Sequence, residues 1–109
     1  ILVKTRLKMR TTEEGGRETG FKTGLRPNHV FEYDKDGLLT TYIGDIQFEG
    51  QDLIMPGEEI EVLVRFLGDQ PIRKYLQEGR KWWIHEGLKC TGEAEILEIK
   101  LPTTKPKNH

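Results

Sequence analysis

The stretch GGRETGFKTG, residues 15–24, holds the residues of this chain best suited to chemistry. Gly15, Gly16 and Gly20 precede the pair Lys22-Thr23, and Gly24 follows. Glycines ahead of Lys-Thr are what a phosphate-cradling loop requires. Its backbone N–H groups hold the phosphates, the lysine reaches them, and the hydroxyl serves the metal. Counted from Gly16, the residues read G-R-E-T-G-F-K-T against G-x-x-x-x-G-K-[ST]. Phe21 stands where the second glycine must be, and its benzyl group blocks close approach of the backbone to phosphate. Such a loop must also open a helix whose N-terminus faces the anion. Pro27 disfavours helical geometry at Arg26, and no βαβ pattern surrounds the stretch. The sequence therefore predicts no nucleotide site, no cofactor and no GTPase or ATPase activity in this chain.

Other reactive groupings are as thin. His29, His85, His109 and the single Cys90 lack metal-ligand spacing. The DKDG run at 34–37 has the acidic look of a calcium loop, but the remaining ligands and the closing glutamate are out of register. Glu13-Glu14 and Glu58-Glu59 are adjacent carboxylates of the kind that loops leave solvated. The chain contains no serine, which removes the commonest nucleophile. His85 and Cys90 are conceivable as a pair; an ordinary strand histidine beside a small core thiol is the plainer reading.

At 109 residues, with 17 basic against 18 acidic groups, the expectation is one domain with a modest core and a charged surface. Apolar runs are too short to span a bilayer, no secretory signal is evident, and one cysteine suits a reducing cytoplasm. Charge is uneven along the chain. Residues 1–30 carry seven basic and three acidic groups, residues 31–70 two and ten, and residues 71–109 eight and five. Folding either separates these into a basic and an acidic face or interleaves them.

Residues 3–10 alternate strictly. Val3, Thr5, Leu7 and Met9 share one face, and Lys4, Arg6, Lys8 and Arg10 the other, the period of a half-buried strand. Further strands are expected at His29–Tyr33, Leu39–Phe48, 60–67, 81–86 and 94–100. Turns fall at 34–37 and 55–59, where Asp, Gly and Pro supply the required dihedrals. Only 72–79 could make a helical turn or two. Short strands between Gly- and Pro-rich turns predict an all-β barrel or sandwich. Val3, Leu7, Val62, Val64, Phe66, Ile84, Ile96 and Ile99 are its expected interior. Trp82 and Trp83 must point to opposite faces, so one belongs in the core. Residues 1–100 form the expected domain, and 101–109, with two prolines and little to bury, a flexible tail.

Three motifs in order, EEGGRETGF with TGLRPN, IMPGEEIEVLVRFL, and GRKWWIHEGLKCTGEAEILEI, resemble the C-terminal (third) domain of elongation factor Tu over residues 3–99. The resemblance implies a closed six-stranded antiparallel β-barrel, which agrees with the strand pattern and removes exposed sheet edges. It implies a non-catalytic domain that meets the T-stem of tRNA, a G-domain and a translation-factor partner. Any GTPase activity would lie in a separate G-domain. This chain would be either a fragment of such a factor or a stand-alone relative. The family's T-stem contacts fall on Arg17, Asn28, Glu86 and Gly87. Arginine suits a phosphate, and short polar groups and a carboxylate suit ribose or base edges in a shallow minor groove. Lys4, Arg6, Lys8 and Arg10 add a candidate RNA-facing strand, or a solvated one. Arg17 could instead pair with Glu13 or Glu14. DNA and membranes are not expected partners.

Departures from the family pattern weigh on the partner more than on the fold. Glu18 replaces a histidine and sets a negative charge beside the expected phosphate. Leu25 and Asn28 replace Tyr and Gln, His85 replaces Arg, Ile43 replaces Thr, and Trp83 replaces a small residue. About seven residues around YDKDGLL look inserted. The alternative function is therefore a repurposed barrel that binds a protein in place of RNA.

Overall fold

The structure is a computed structural model that describes residues 1–37 and 39–100. The expected tail, 101–109, lies outside the described residues. Six strands are β1 Leu2–Met9, β2 Asn28–Val30, β3 Tyr42–Gln47, β4 Glu59–Phe66, β5 Lys81–Glu86 and β6 Lys89–Lys100. They close into an antiparallel barrel in the order β1-β4-β3-β2-β5-β6. The all-β expectation thus resolves to the barrel. No helix among the described residues is long and apolar enough to cross a membrane.

Alternation decides which side chains go inside. On β1, Val3, Thr5, Leu7 and Met9 are buried while Arg6 and Lys8 are exposed. On β4, Val62, Val64 and Phe66 are buried. Ile84 and Ile96 complete the core, with Ile99 only partly buried against it. Trp82 is fully buried, and Trp83 on the opposite face is half-buried. Because Val64 is completely enclosed, Val64→Ala is expected to cost about 1–3 kcal/mol in urea unfolding. A change near zero would remove Val64 from the core.

Several boundaries differ from the sequence reading. The strand expected at His29–Tyr33 stops at Val30, because the chain then turns Phe31 into the interior. The Arg80 guanidinium takes the Phe31 carbonyl at 2.8 Å, which ends the ladder. The strand expected from Leu39 begins at Tyr42. Leu39 instead makes an isolated bridge to Tyr33. β6 starts five residues earlier than expected, since Gly87 (φ 66°) permits a tight hairpin that pairs Glu86 with Lys89. The helical stretch at 72–79 shrinks to one 3-10 turn, Arg73–Tyr75. That turn contributes the buried Ile72 and Tyr75. The Tyr75 ring stacks on Phe31 at 4.6 Å, and Phe31 in turn stacks on Trp82 at 5.2 Å.

Candidate binding surface

Residues 10–27, 48–58 and the Glu86–Lys89 hairpin meet at one end of the barrel. The Gly57 N–H bonds the Arg10 carbonyl, the Arg10 N–H bonds Thr91 O, and Phe21 and Ile54 exchange both backbone bonds. The glycine-rich stretch starts this surface, and its paired glycines serve different needs. Gly15 takes φ 93°, a left-handed geometry that L side chains avoid. Gly16 presses on backbone: a Cβ there would sit 2.5 Å from the Arg10 carbonyl oxygen. Thr11 and Glu14 lock the turn between them. The Thr11 N–H donates to Glu14 Oε1 (2.9 Å), and the Glu14 N–H donates to Thr11 Oγ1 (3.1 Å). Those bonds hold the Glu14 carboxyl below its ordinary pKa. Beyond Gly20 the chain runs into isolated bridges, Phe21 to Ile54 and Leu25 to Ile46, and Phe21 is buried. No helix follows the stretch, so the phosphate-cradle geometry does not form.

Arg17 pairs with neither Glu13 nor Glu14. Its Nη1 meets Glu86 Oε1 at 2.5 Å, its Nε donates to Thr19 O at 3.1 Å, and its guanidinium lies 5.5 Å from the Phe21 ring centre. Two of the residues singled out by resemblance thus touch across 69 positions of chain. Asn28 is the register partner of His85, the neighbour of Glu86, and also of Ile43. Gly87 makes the hairpin turn beside Glu86. Arg17, Glu86 and Gly87 therefore lie together, with Asn28 one register step away beside His85. Glu18, next to Arg17 in the chain, is exposed. The second oxygen of Glu86 and Nδ1 of His85 are buried with no hydrogen-bond partner among the described residues.

The basic strand is placed differently. Arg6 lies opposite Glu61 on β4 and Glu95 on β6, and Lys8 opposite Glu59 and Glu93. Lys4 lies opposite Glu98 and pairs with Glu61 at 3.5 Å, while Arg6 reaches Glu59 at 3.9 Å. Folding interleaves the charges here, so this stripe runs between two acidic ones. Each exposed pair adds little stability, about 0–1 kcal/mol, but cancels most of the local field. Arg10, at the strand end, joins the loop surface, and its charge acts on Tyr33 and His85.

His85 and Cys90 do stand opposite one another, on β5 and β6. The ring Nε2 is taken by the Tyr33 hydroxyl at 2.6 Å, and the thiol bonds Gly92 O at 3.4 Å. Tyr33 packs on Trp83 at 5.3 Å. Burial, then the neighbouring Cys90, pushes the Tyr33 hydroxyl up to about 12. Burial likewise lowers His85. His29 is interior: Nε2 bonds Gly44 O at 2.9 Å, and Nδ1 accepts the Trp82 indole N–H at 3.0 Å. No group of three or more His, Cys, Asp or Glu among the described residues could hold a metal ion.

Sequence reasoning missed Tyr33 and a cluster around Asp45. Asp45 is buried on β3, with Arg65 Nη2 at 2.7 Å, Arg26 Nε at 3.9 Å and Gln47 Nε2 at 3.0 Å. Its one sequence signal is a carboxylate inside the otherwise apolar or neutral strand YIGDIQ. No protein-family model matches the chain.

Proposed function

We propose that this barrel is a non-catalytic binding domain of the elongation-factor-Tu third-domain kind, which docks on tRNA or another structured RNA. The observation that carries the reading is the contact of Arg17 with Glu86, 69 positions apart, beside Gly87 and one register step from Asn28. Arg17 supplies a phosphate contact, with Arg10 close to the same end. Glu86 holds Arg17 in place at this surface through its Oε1, and the backbone of Gly87 beside it leaves room for a ribose to approach. The interleaved first strand is left out of the contact, because any phosphate at Arg6 or Lys8 meets flanking glutamates. A G-domain, if the chain is part of a longer factor, is a further partner.

Filter binding on tRNA at low and moderate salt tests this. Arg17→Ala is expected to weaken binding across sequences and to reduce the log–log salt slope by about 1. Glu18→His removes a repulsive charge and is expected to strengthen binding. An affinity indifferent to both substitutions excludes the loop as the RNA contact.

A second reading, a barrel that binds a protein, is favoured by one specific feature. Leu88 at the hairpin tip is 85% exposed, next to Glu86 and Gly87. Absence of tRNA binding at low salt, together with a protein partner lost on Leu88→Ser, would establish that reading in place of the first.

A further inference from the structure

Asp45, Arg26 and Arg65 form a charge cluster with an excess of cation. The Asp45 side chain is 4% exposed, whereas those of Arg26 and Arg65 are 60% and 47% exposed. Both guanidiniums address the same oxygen, Oδ2, at 3.9 and 2.7 Å. The other oxygen, Oδ1, accepts Gln47 Nε2 at 3.0 Å. One carboxylate charge thus faces two guanidinium charges, one hydrogen-bonded and one at ion-pair distance. A guanidinium carries five N–H donors in a fixed fork. Arg65 commits one nitrogen to Asp45, and among the described residues neither arginine has another hydrogen-bond acceptor. The remaining donors stand at the surface around a net positive charge. This differs in kind from the first strand, where the cations alternate with glutamates from both neighbouring strands.

Position ties the cluster to the proposed RNA surface. Arg26 precedes Asn28 by two residues, across Pro27. Asp45 follows Ile43 by two on β3, about 7 Å along the strand, and Ile43 is the register partner of Asn28. Two guanidiniums beside a buried acid are suited to a tetrahedral oxyanion. The carboxylate holds Arg65 by a hydrogen bond, so less of its side-chain freedom is lost on binding, and both forks match phosphate oxygens.

We propose that the Arg26–Asp45–Arg65 cluster is a phosphate-binding site that takes a backbone phosphate of the bound RNA next to Asn28. The RNA part of this inference rests on the reading given under Proposed function.

The test compares Arg26→Gln, Arg65→Gln, Arg65→Lys and Arg6→Gln in the full chain, with tRNA binding followed over a salt series. Each single change at the cluster leaves one guanidinium on Asp45, and circular dichroism checks the fold. The expected result is that Arg26→Gln and Arg65→Gln each reduce the log–log salt slope by about 1. Arg65→Lys keeps the charge and the slope, and Arg6→Gln, already among glutamates, changes it little. Binding to tRNA with slopes unchanged by the cluster variants would overturn the site and leave the RNA reading intact. A parallel arm titrates inorganic phosphate while the side-chain Nε–H resonances of Arg26 and Arg65 are followed by NMR. Phosphate-dependent shifts at both, abolished by either Gln variant, support a phosphate site even if tRNA fails to bind, and would then overturn only its assignment to RNA. Absence of both shifts and slope changes overturns the proposal altogether.

Discussion

Trp82→Ala is expected to destabilise the barrel by about 3–5 kcal/mol, the largest single-residue loss in this fold. The indole is fully buried. Its ring stacks on Phe31 at 5.2 Å and lies 5.8 Å from Phe66, and its N–H donates to His29 Nδ1 at 3.0 Å. Truncation removes one end of an aromatic stack that runs from Trp82 through Phe31 to Tyr75. It also leaves a buried imidazole nitrogen without its donor. Trp83, one residue on, is half-buried on the outer face under Tyr33. Trp83→Ala is accordingly expected to cost about 1 kcal/mol, within the range of partly exposed positions. Urea unfolding of both variants, followed by circular dichroism, is the measurement. Equal losses would show that the two indoles are not divided between core and surface.

Mild acid is expected to weaken the fold through His29. Burial holds this imidazole at about 4, against an ordinary value of 6.5, with the Gly44 carbonyl and Asp45 opposing the shift less strongly. The hydrogen bonds explain why protonation is unfavourable. Nε2 donates to Gly44 O, so Nδ1 must stay a bare acceptor for the Trp82 indole. A proton on Nδ1 would set donor against donor. The unfolded chain takes up that proton near pH 6.5, and the folded chain only near 4. Stability from neutral His29 is therefore complete above about pH 6.5 and lost as pH falls through about 4. The total is about 3 kcal/mol, from 1.36 kcal/mol per unit. His85, also lowered, adds in the same direction. Glu14 and Glu58, lowered by their hydrogen bonds, lose their contribution only below the ordinary glutamate range. The comparison is the unfolding free energy near pH 7.5 and near pH 4.5 for the unaltered chain and for His29→Gln. Glutamine can donate to Gly44 and accept from Trp82 without titrating, so most of the loss should vanish. An equal acid loss in both proteins would place it on other groups.

The division between sequence and tertiary structure follows the range of the interactions involved. Binary alternation alone assigned the faces of β1 and β4, because side-chain period is a local property of extended backbone. Turn chemistry likewise placed the Asp34–Gly37 and Met55–Glu59 turns. Strand ends were misread where a distant group decides them: Arg80 on the Phe31 carbonyl ends β2, and the Gly87 hairpin extends β6 back to Lys89. A phosphate cradle at 15–24 was set aside in the sequence on Phe21, Pro27 and the missing βαβ pattern, and in the structure Phe21 is buried and bridges Ile54.

Charge was the least legible property. In the sequence Lys4, Arg6, Lys8 and Arg10 form a basic stripe, yet antiparallel register sets Glu59, Glu61, Glu93 and Glu95 against it. Conversely, Asp45 reads as one acid in the most acidic third of the chain, and closure of the barrel gathers two arginines on it. Arg17 has carboxylates three and four residues away but pairs with Glu86, 69 positions on. Local pattern therefore determined that this chain makes short half-buried strands and where they turn, because sterics and side-chain period act over a few residues. Which charges cancel, and which remain to meet a partner, was decided by register and closure, because Coulomb interactions depend on distances in space that sequence separation does not set.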